Sequence, residues 1–372
     1  MTIPFIDLAA QRDRLDGGIE RAVERVIRSG AFIDGPEVDL LEEELSRRSG
    51  GGHVVACSSG TDALVMSLLA LGVGPGDAVF VPSFTFVGTA EAVVLIGATP
   101  VFVDVRSDTF NLSVESFVEV ARTGVPSGLR PVGVIAVDLF GQPAEYSRLR
   151  SEAAEMGVWV MADAAQSFGA SADDRPVGSL AEVTTTSFYP AKPLGCYGDG
   201  GAIVVSDAEL ASRLRSLRSH GAGGHRYEHT RIGLNGRLDT IQAAVLLEKL
   251  KIFDEELVAR RQVASRYDEA LRDVVTVPTV LNGLSSTWAQ YTIRVDRRDD
   301  VAAALGERGI PTAIHYPVPI HRQPAYSSFA TESHLGVSEV VSSTVLSLPM
   351  HPYLTSVVQD RIIDGVCSAV GG

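Results

Sequence analysis

Seven short apolar runs between residues 54 and 205 constrain the fold of this chain more than any other feature: Val54–Cys57, Ala78–Val81, Pro100–Val105, Val132–Val137, Val158–Ala162, Thr184–Phe188 and Ala202–Val205. Each has the length and composition of a strand buried on both faces. Helical patterns such as Asp62–Leu71, Tyr146–Met156 and Ala208–Arg218 lie between several of them. Two more precede them. In the first, Ile19, Val23, Val26 and Ile27 recur at helical spacing until Gly30 stops them, and the second opens at Pro36, a favourable first helical position, and runs to Gly50. Alternation of this kind predicts an α/β fold, with a mostly parallel central sheet covered by helices on both faces.

Beyond the seventh run the pattern changes. Residues 238–272 read as one long charged helix bridging two domains. A strand at Gln290–Val295, a helix at Asp300–Arg308, strands at Thr312–Tyr316 and Val345–Leu348, and a closing helix after Thr355 then describe a smaller α+β domain. The expected division is a large domain over 1–250 and a small C-terminal domain over 251–372.

Composition limits the partners. A net charge of −14 argues against nucleic-acid binding by a broad basic surface, but a local cluster can still hold an anion. Three cysteines with no CxxC spacing point to a reducing compartment, without a disulfide framework or a zinc site. The N-terminus lacks a basic segment followed by an apolar run, and no window reaches the apolar length of a membrane span. A cytoplasmic protein with no membrane partner and no metal is expected.

In an open parallel sheet, ligands bind beyond the C-terminal ends of the strands, so the residues standing there matter most. After Val54–Cys57 comes Ser58-Ser-Gly-Thr-Asp-Ala-Leu. Gly60 lets the backbone approach a ligand, and the Thr61 hydroxyl with a helix N-terminus suits a phosphate; the same residues also suit a plain capped helix. After Ala78–Val81, Pro82-Ser-Phe-Thr-Phe places Phe86 as core or as a face for a flat ring. After Val158–Ala162, Asp163 is a carboxylate at the end of an apolar strand, costly to bury without a cation unless it merely caps the next helix. Gln166 is near enough to offer an amide to the same ligand. One strand later, Ser187-Phe-Tyr-Pro-Ala-Lys-Pro holds Lys192 between two prolines, with Ser187 five residues before it.

Together these residues match the needs of pyridoxal phosphate: an amine for a Schiff base, an acid for the ring nitrogen, an aromatic for the ring face, and a phosphate cup. Their order resembles the fold type I pyridoxal-phosphate enzymes, and the wording resembles the DegT-type sugar aminotransferases. The likeness runs over nearly the whole chain: Phe5-Ile-Asp-Leu, Gly35-Pro-Glu-Val, Gly60-Thr-Asp-Ala, Gly72-Val-Gly-Pro-Gly-Asp, Asp163-Ala-Ala-Gln-Ser, the lysine loop, Asn235-Gly-Arg-Leu-Asp-Thr-Ile-Gln-Ala-Ala and His315-Tyr-Pro.

That resemblance implies a role for each matching position. Lys192 would bond to the cofactor and shuttle the proton, and Asp163 would pair with its ring nitrogen. Gln166 would contact the ring hydroxyl, and Phe86 would stack on the ring. Gly60, Thr61 and Ser187 would bind the phosphate, joined by Asn235 from a neighbouring subunit, so a homodimer with shared active sites is implied. Arg237, His315 and Tyr316 would line the side of a nucleotide-linked keto sugar, with glutamate as the usual amino donor. The lysine loop and Leu348-Pro-Met-His-Pro-Tyr-Leu look most like the branch acting on UDP-2-acetamido-2-deoxy-3-oxo-glucuronate for bacterial polysaccharide. Enzymes for 3- or 4-keto-6-deoxy dTDP sugars are the alternative, since the 3-keto group shares Gly195-Cys and Gly198-Asp-Gly-Gly. The cup reads Ser59 where the first branch often carries Asn. A uronate needs a cation for its carboxylate, and Arg237 or a basic residue in His225–Arg231 is the candidate.

Other features have plainer readings. His225 and His229 have helical metal spacing, but Gly221, Gly223 and Gly224 argue against a helix there. Cys196 reads as a small residue in a tight turn. A related dehydratase would carry histidine at Lys192, and a non-catalytic or regulatory relative would be expected to lose Lys192 or Asp163; both are present.

Overall fold

The computed structural model describes residues 3–225, 227–330 and 335–371. Its centre is a seven-stranded sheet. In chain order the strands are β1 (His53–Cys57), β2 (Asp77–Pro82), β3 (Thr99–Val103), β4 (Arg130–Val137) and β5 (Trp159–Asp163). The short pair β6 (Ser171–Ala172) and β7 (Arg175–Pro176) stands apart, before β8 (Val183–Ser187) and β9 (Gly201–Val205). Across the sheet the order is β1-β9-β8-β5-β4-β2-β3. Every pairing is parallel except those of β9, which runs antiparallel to both β1 and β8. β2 and β9 are buried along their whole length, as apolar runs packed on both faces require.

Helices cover both faces. Gly60–Ala70, Gly88–Leu95 and Ala208–Arg218 supply Leu64, Val93 and Leu214 to one apolar layer with Val55, Val79 and Ile203. Val114–Thr123 and Tyr146–Glu155 supply Phe117 and Leu149 to the opposite layer with Phe80, Val134 and Val160. Gly133 allows one close approach: it pairs with Trp159 across β4 and β5, where a Cβ would stand 2.2 Å from the indole.

The long helix expected over 238–272 is two helices, Thr240–Leu250 and Phe253–Leu271. The break at Lys251–Ile252 lets Phe253 stack on Phe168, with ring centroids 6.0 Å apart. Val263, Ala264, Tyr267 and Leu271 then join a separate apolar cluster with β10 (Tyr291–Arg294), β11 (Val345–Leu348) and the final helix Ser356–Gly371. The strand expected at Thr312–Tyr316 does not form. Only Ala313 bridges to Ser347, and His315 and Tyr316 turn aside toward the strand ends of the large sheet. Among the described residues, no helix is long and apolar enough to cross a membrane.

The Gly133 contact generates a stability prediction. Gly133→Ala overpacks the β4–β5 interface and lowers unfolding free energy by about 1–3 kcal/mol, read as a reduced urea midpoint; an unchanged midpoint would show that Trp159 has room to move.

Candidate active site

The site is built at the C-terminal edge of the sheet. Beyond β1, the helix Gly60–Ala70 opens with Ser59 as its N-cap, the side chain accepting from Asp62 N at 3.0 Å. Gly60 is required by closeness: a Cβ there would lie 2.7 Å from Ser187 Cβ at the end of β8. The first-turn N–H groups, the Thr61 hydroxyl and Ser187 therefore gather at one strand-end corner, a favourable place for an anion.

Phe86 follows β2 and is 55% exposed. A Cβ on Gly88 would stand 3.1 Å from its ring and 3.4 Å from Thr61 Oγ1, so the aromatic and the cup are neighbours. Its other neighbour is Tyr316, with ring centroids 6.1 Å apart. Gln166 accepts from Phe140 N and lies close enough to the Tyr316 hydroxyl to act on it. Burial pushes the Tyr316 hydroxyl well above its ordinary range.

Asp163 closes β5 and is 6% exposed. It accepts from Thr89 Oγ1 at 2.8 Å and from Ala165 N at 3.2 Å. Burial raises its carboxyl, while those bonds and the charge of Lys192 pull it down. Burial lowers the Lys192 amine, and the Asp163 charge opposes that. His315 belongs to the same cluster: burial lowers its imidazole first, and the Lys192 charge adds to the effect.

Lys192, Asp163, Gln166, Phe86, Gly60, Thr61, Ser187, His315 and Tyr316 thus form one contiguous group. Asn235 and Arg237 flank it instead. Gly236 between them accepts from Ser58 N at 3.0 Å, which fixes their segment beside the β1 end. Asn235 is exposed, and Arg237 is half-buried with its Nε lacking a partner. Arg226, one of the alternative carboxylate cations, lies outside the described residues. His229 Nδ1 is 2.9 Å from the His220 carbonyl, and among the described residues no group of three or more His, Cys, Asp or Glu is placed to hold a metal.

Two residues escaped the sequence reading. Thr89 belongs to Gly88–Leu95, a helix whose nearly uniform apolar character gives no amphipathic signal. Asp138, just past β4, is fully buried and donates its N–H to Asp163 O at 3.0 Å. Its carboxylate accepts from Ser167 Oγ at 2.6 Å, Tyr146 Oη at 2.7 Å and Ala144 N at 2.8 Å. A strand-end aspartate was a visible signal there too, but three of its partners lie further along the chain. Lysine is scarce: the chain has Lys192, Lys249 and Lys251, and Lys251 pairs with Glu248 at the surface.

Known proteins resemble this chain along its whole length. The profile of the DegT/DnrJ/EryC1/StrS aminotransferase family matches residues 13–367. The chain belongs to that family. A Pseudomonas aeruginosa relative, UDP-2-acetamido-2-deoxy-3-oxo-D-glucuronate aminotransferase, is 46% identical over 95% of this chain and 96% of its own. The dTDP-3-amino-3,4,6-trideoxy-alpha-D-glucose transaminase of Streptomyces venezuelae is 40% identical over 98% of this chain and 95% of its own. A crystal structure of a DegT DnrJ EryC1 StrS aminotransferase from Brucella abortus superposes with a TM-score of 0.97 at 50% identity, covering 100% of both chains. Family membership makes this protein an aminotransferase, and the α/β architecture expected from the sequence is the one its relatives share.

The Asp138 cluster predicts a pH effect. Burial raises this carboxyl from near 3.8 to about 7, against the hydrogen bonds from Ser167, Tyr146 and Ala144. Its contribution to stability is complete below about pH 3.8 and is lost as pH rises through about 7. Replacing it, Asp138→Asn, flattens that part of the stability–pH curve, measured as urea midpoints from about pH 4 to 8. An undiminished slope in the variant would assign the titration elsewhere.

Proposed function

We propose that this chain is a pyridoxal 5′-phosphate-dependent aminotransferase carrying an amino group from glutamate to a nucleotide-linked 3-keto sugar, with UDP-2-acetamido-2-deoxy-3-oxo-glucuronate as the acceptor. One observation carries the reading: the Lys192 amine and the buried Asp163 carboxylate interact at the strand ends beside the Gly60–Ser187 corner. These residues fit the cofactor. The corner leaves no space for a side chain at Gly60, as a backbone cradle for phosphate requires, and Asp163 is a buried acid suited to a cationic ring nitrogen.

In this reading Gly60, Thr61 and Ser187 would hold the phosphate, Phe86 would stack on the ring, Gln166 would contact the ring hydroxyl and Asp163 would pair with the ring nitrogen. Bound pyridoxal phosphate supplies an aldehyde for the amino group and a ring that withdraws electrons from the reacting carbon. Thr89 fixes the Asp163 carboxylate through its 2.8 Å hydrogen bond. Lys192 moves the proton at Nζ, and desolvation of its amine makes the neutral base easier to reach. Arg237, His315 and Tyr316 face the sugar.

The Pseudomonas relative supports the uronate acceptor, and the Streptomyces relative supports a dTDP-linked 6-deoxy sugar as the second reading. A homodimer completes the site with Asn235 of a second copy. Exposed Phe32, Ile33, Tyr189 and Tyr197 are apolar surface for such a copy to cover. A smaller C-terminal domain is supported by the separate apolar cluster of Val263–Leu271, β10, β11 and the final helix, which Ile3 joins, while Phe253 and Leu257 still pack with the large domain. The setting that fits is cytoplasmic synthesis of polysaccharide precursors.

The acceptor is tested by loading the enzyme with cofactor and glutamate, removing donor, and offering nucleotide 3-keto sugars while following return of the lysine-linked absorbance. The UDP-linked uronate restores it fastest; faster recovery with a dTDP-linked 6-deoxy sugar overturns the assignment. A second prediction concerns the carboxylate. Arg237→Ala lowers kcat/KM about 10–100-fold more on the uronate than on its 6-deoxy counterpart. Equal losses on both sugars would remove Arg237 from carboxylate recognition.

A further inference from the structure

A buried cation braces the loop carrying Lys192, and no step of the proposed chemistry uses it. Residues 188–200 fold back on themselves: Phe188 N donates to Gly200 O at 2.7 Å, Cys196 N to Phe188 O at 2.7 Å, and Lys192 N to Tyr189 O at 2.8 Å. The turn is tight enough that a Cβ on Gly195 would lie 2.6 Å from Pro190 O. The Gly195 carbonyl accepts from Lys249 Nζ at 2.6 Å. Lys249 is 1% exposed, and its ammonium stands 4.3 Å from the centroid of the Tyr197 ring. Seven residues earlier, on the same face of the helix Thr240–Leu250, Gln242 accepts from Tyr197 N at 2.8 Å and donates to Tyr197 O at 3.2 Å. One helix face therefore bonds three backbone atoms of the loop.

Behind Lys249 stands Glu256, 2% exposed, which accepts from Gln11 at 3.0 Å and from the Tyr353 hydroxyl. Its charge acts on Lys249 and on buried Arg260. We propose that Lys249 is a positioning residue for Lys192, fixing Gly195 so that the loop holds the Lys192 amine at the strand ends, within electrostatic reach of Asp163. The inference rests on the reading of Lys192 given above. A buried ammonium is costly where an apolar side chain of the same length fills the space more cheaply, so its presence calls for something it holds. Burial lowers this amine to about 8, with Glu256 and Cys196 opposing. The cost of charging it is therefore borne below about pH 8.

The test mixes cofactor-free chain with pyridoxal 5′-phosphate and records the rate of formation and the pH midpoint of the lysine-linked band, beside Tm of the cofactor-free chain. In Lys249→Met the band forms about tenfold more slowly and its midpoint shifts, and Tm falls because Gly195 O and Glu256 lose a buried partner. Lys249→Arg, which keeps a charged donor, recovers part of the rate. Gln242→Ala slows the band in the same direction and carries the test if Lys249→Met fails to fold. Wild-type rate and midpoint in Lys249→Met, or in Gln242→Ala where the first variant does not fold, overturn the inference; a lowered Tm with an unchanged band marks Lys249 as merely structural. A Lys192→Ala chain that still forms the band overturns the reading of Lys192, and this inference with it.

Discussion

The proposed site is organised around two opposed charges at the edge of the sheet, each within electrostatic reach of the other. Burial disfavours the ionised form of both Asp163 and Lys192, and each is favoured by the other. An isolated pair of this kind is a poor source of stability, because desolvation offsets most of the attraction. Thr89 satisfies one carboxylate oxygen, Ala165 N bonds the other, and Asp138 N bonds the Asp163 carbonyl. Together these bonds fix Asp163 in place, as the proposed site requires.

Topology explains why these two residues meet. β5 and β8 are adjacent and parallel, with Asp163 paired to Thr185. Lys192 stands five residues beyond Ser187, the end of β8, on a turn that folds back across the same edge. The antiparallel β9 then returns between β8 and β1, which leaves Gly60 free to touch Ser187 from the far side. Gly195 and Gly201 let backbone pack on backbone, and Gly60 lets it pack on the Ser187 side chain, where a Cβ would collide.

Much of this was legible in the sequence, for reasons that also explain the omissions. The seven central strands lie within two residues of their apolar runs at every end, because a strand buried on both faces cannot hide its composition. The reversed direction of β9 was not legible, since nothing within Ala202–Val205 states which way it runs. Thr312–Tyr316 looked like a strand because its residues suit one, yet only Ala313 makes a backbone bridge to Ser347, while His315 reaches Ser347 by its ring and Tyr316 lies beside Phe86. Lys192 and Asp163 were readable as costly residues at strand ends. Thr89 and Lys249 were not, because each acts through a partner remote in sequence and looks ordinary beside its own neighbours; Asp138, visible as a strand-end acid, was missed because its partners Ser167 and Asp163 stand on later segments.

The central claim, that Lys192 is the amine on which the site is built, is open to one direct measurement. The cofactor-loaded enzyme is reduced with borohydride, digested, and searched by mass spectrometry for the phosphopyridoxyl group. With lysine only at 192, 249 and 251, the assignment is unambiguous. The account predicts the group on Lys192 at one per chain. Its appearance on Lys249 or Lys251, or on no lysine at all, would contradict it.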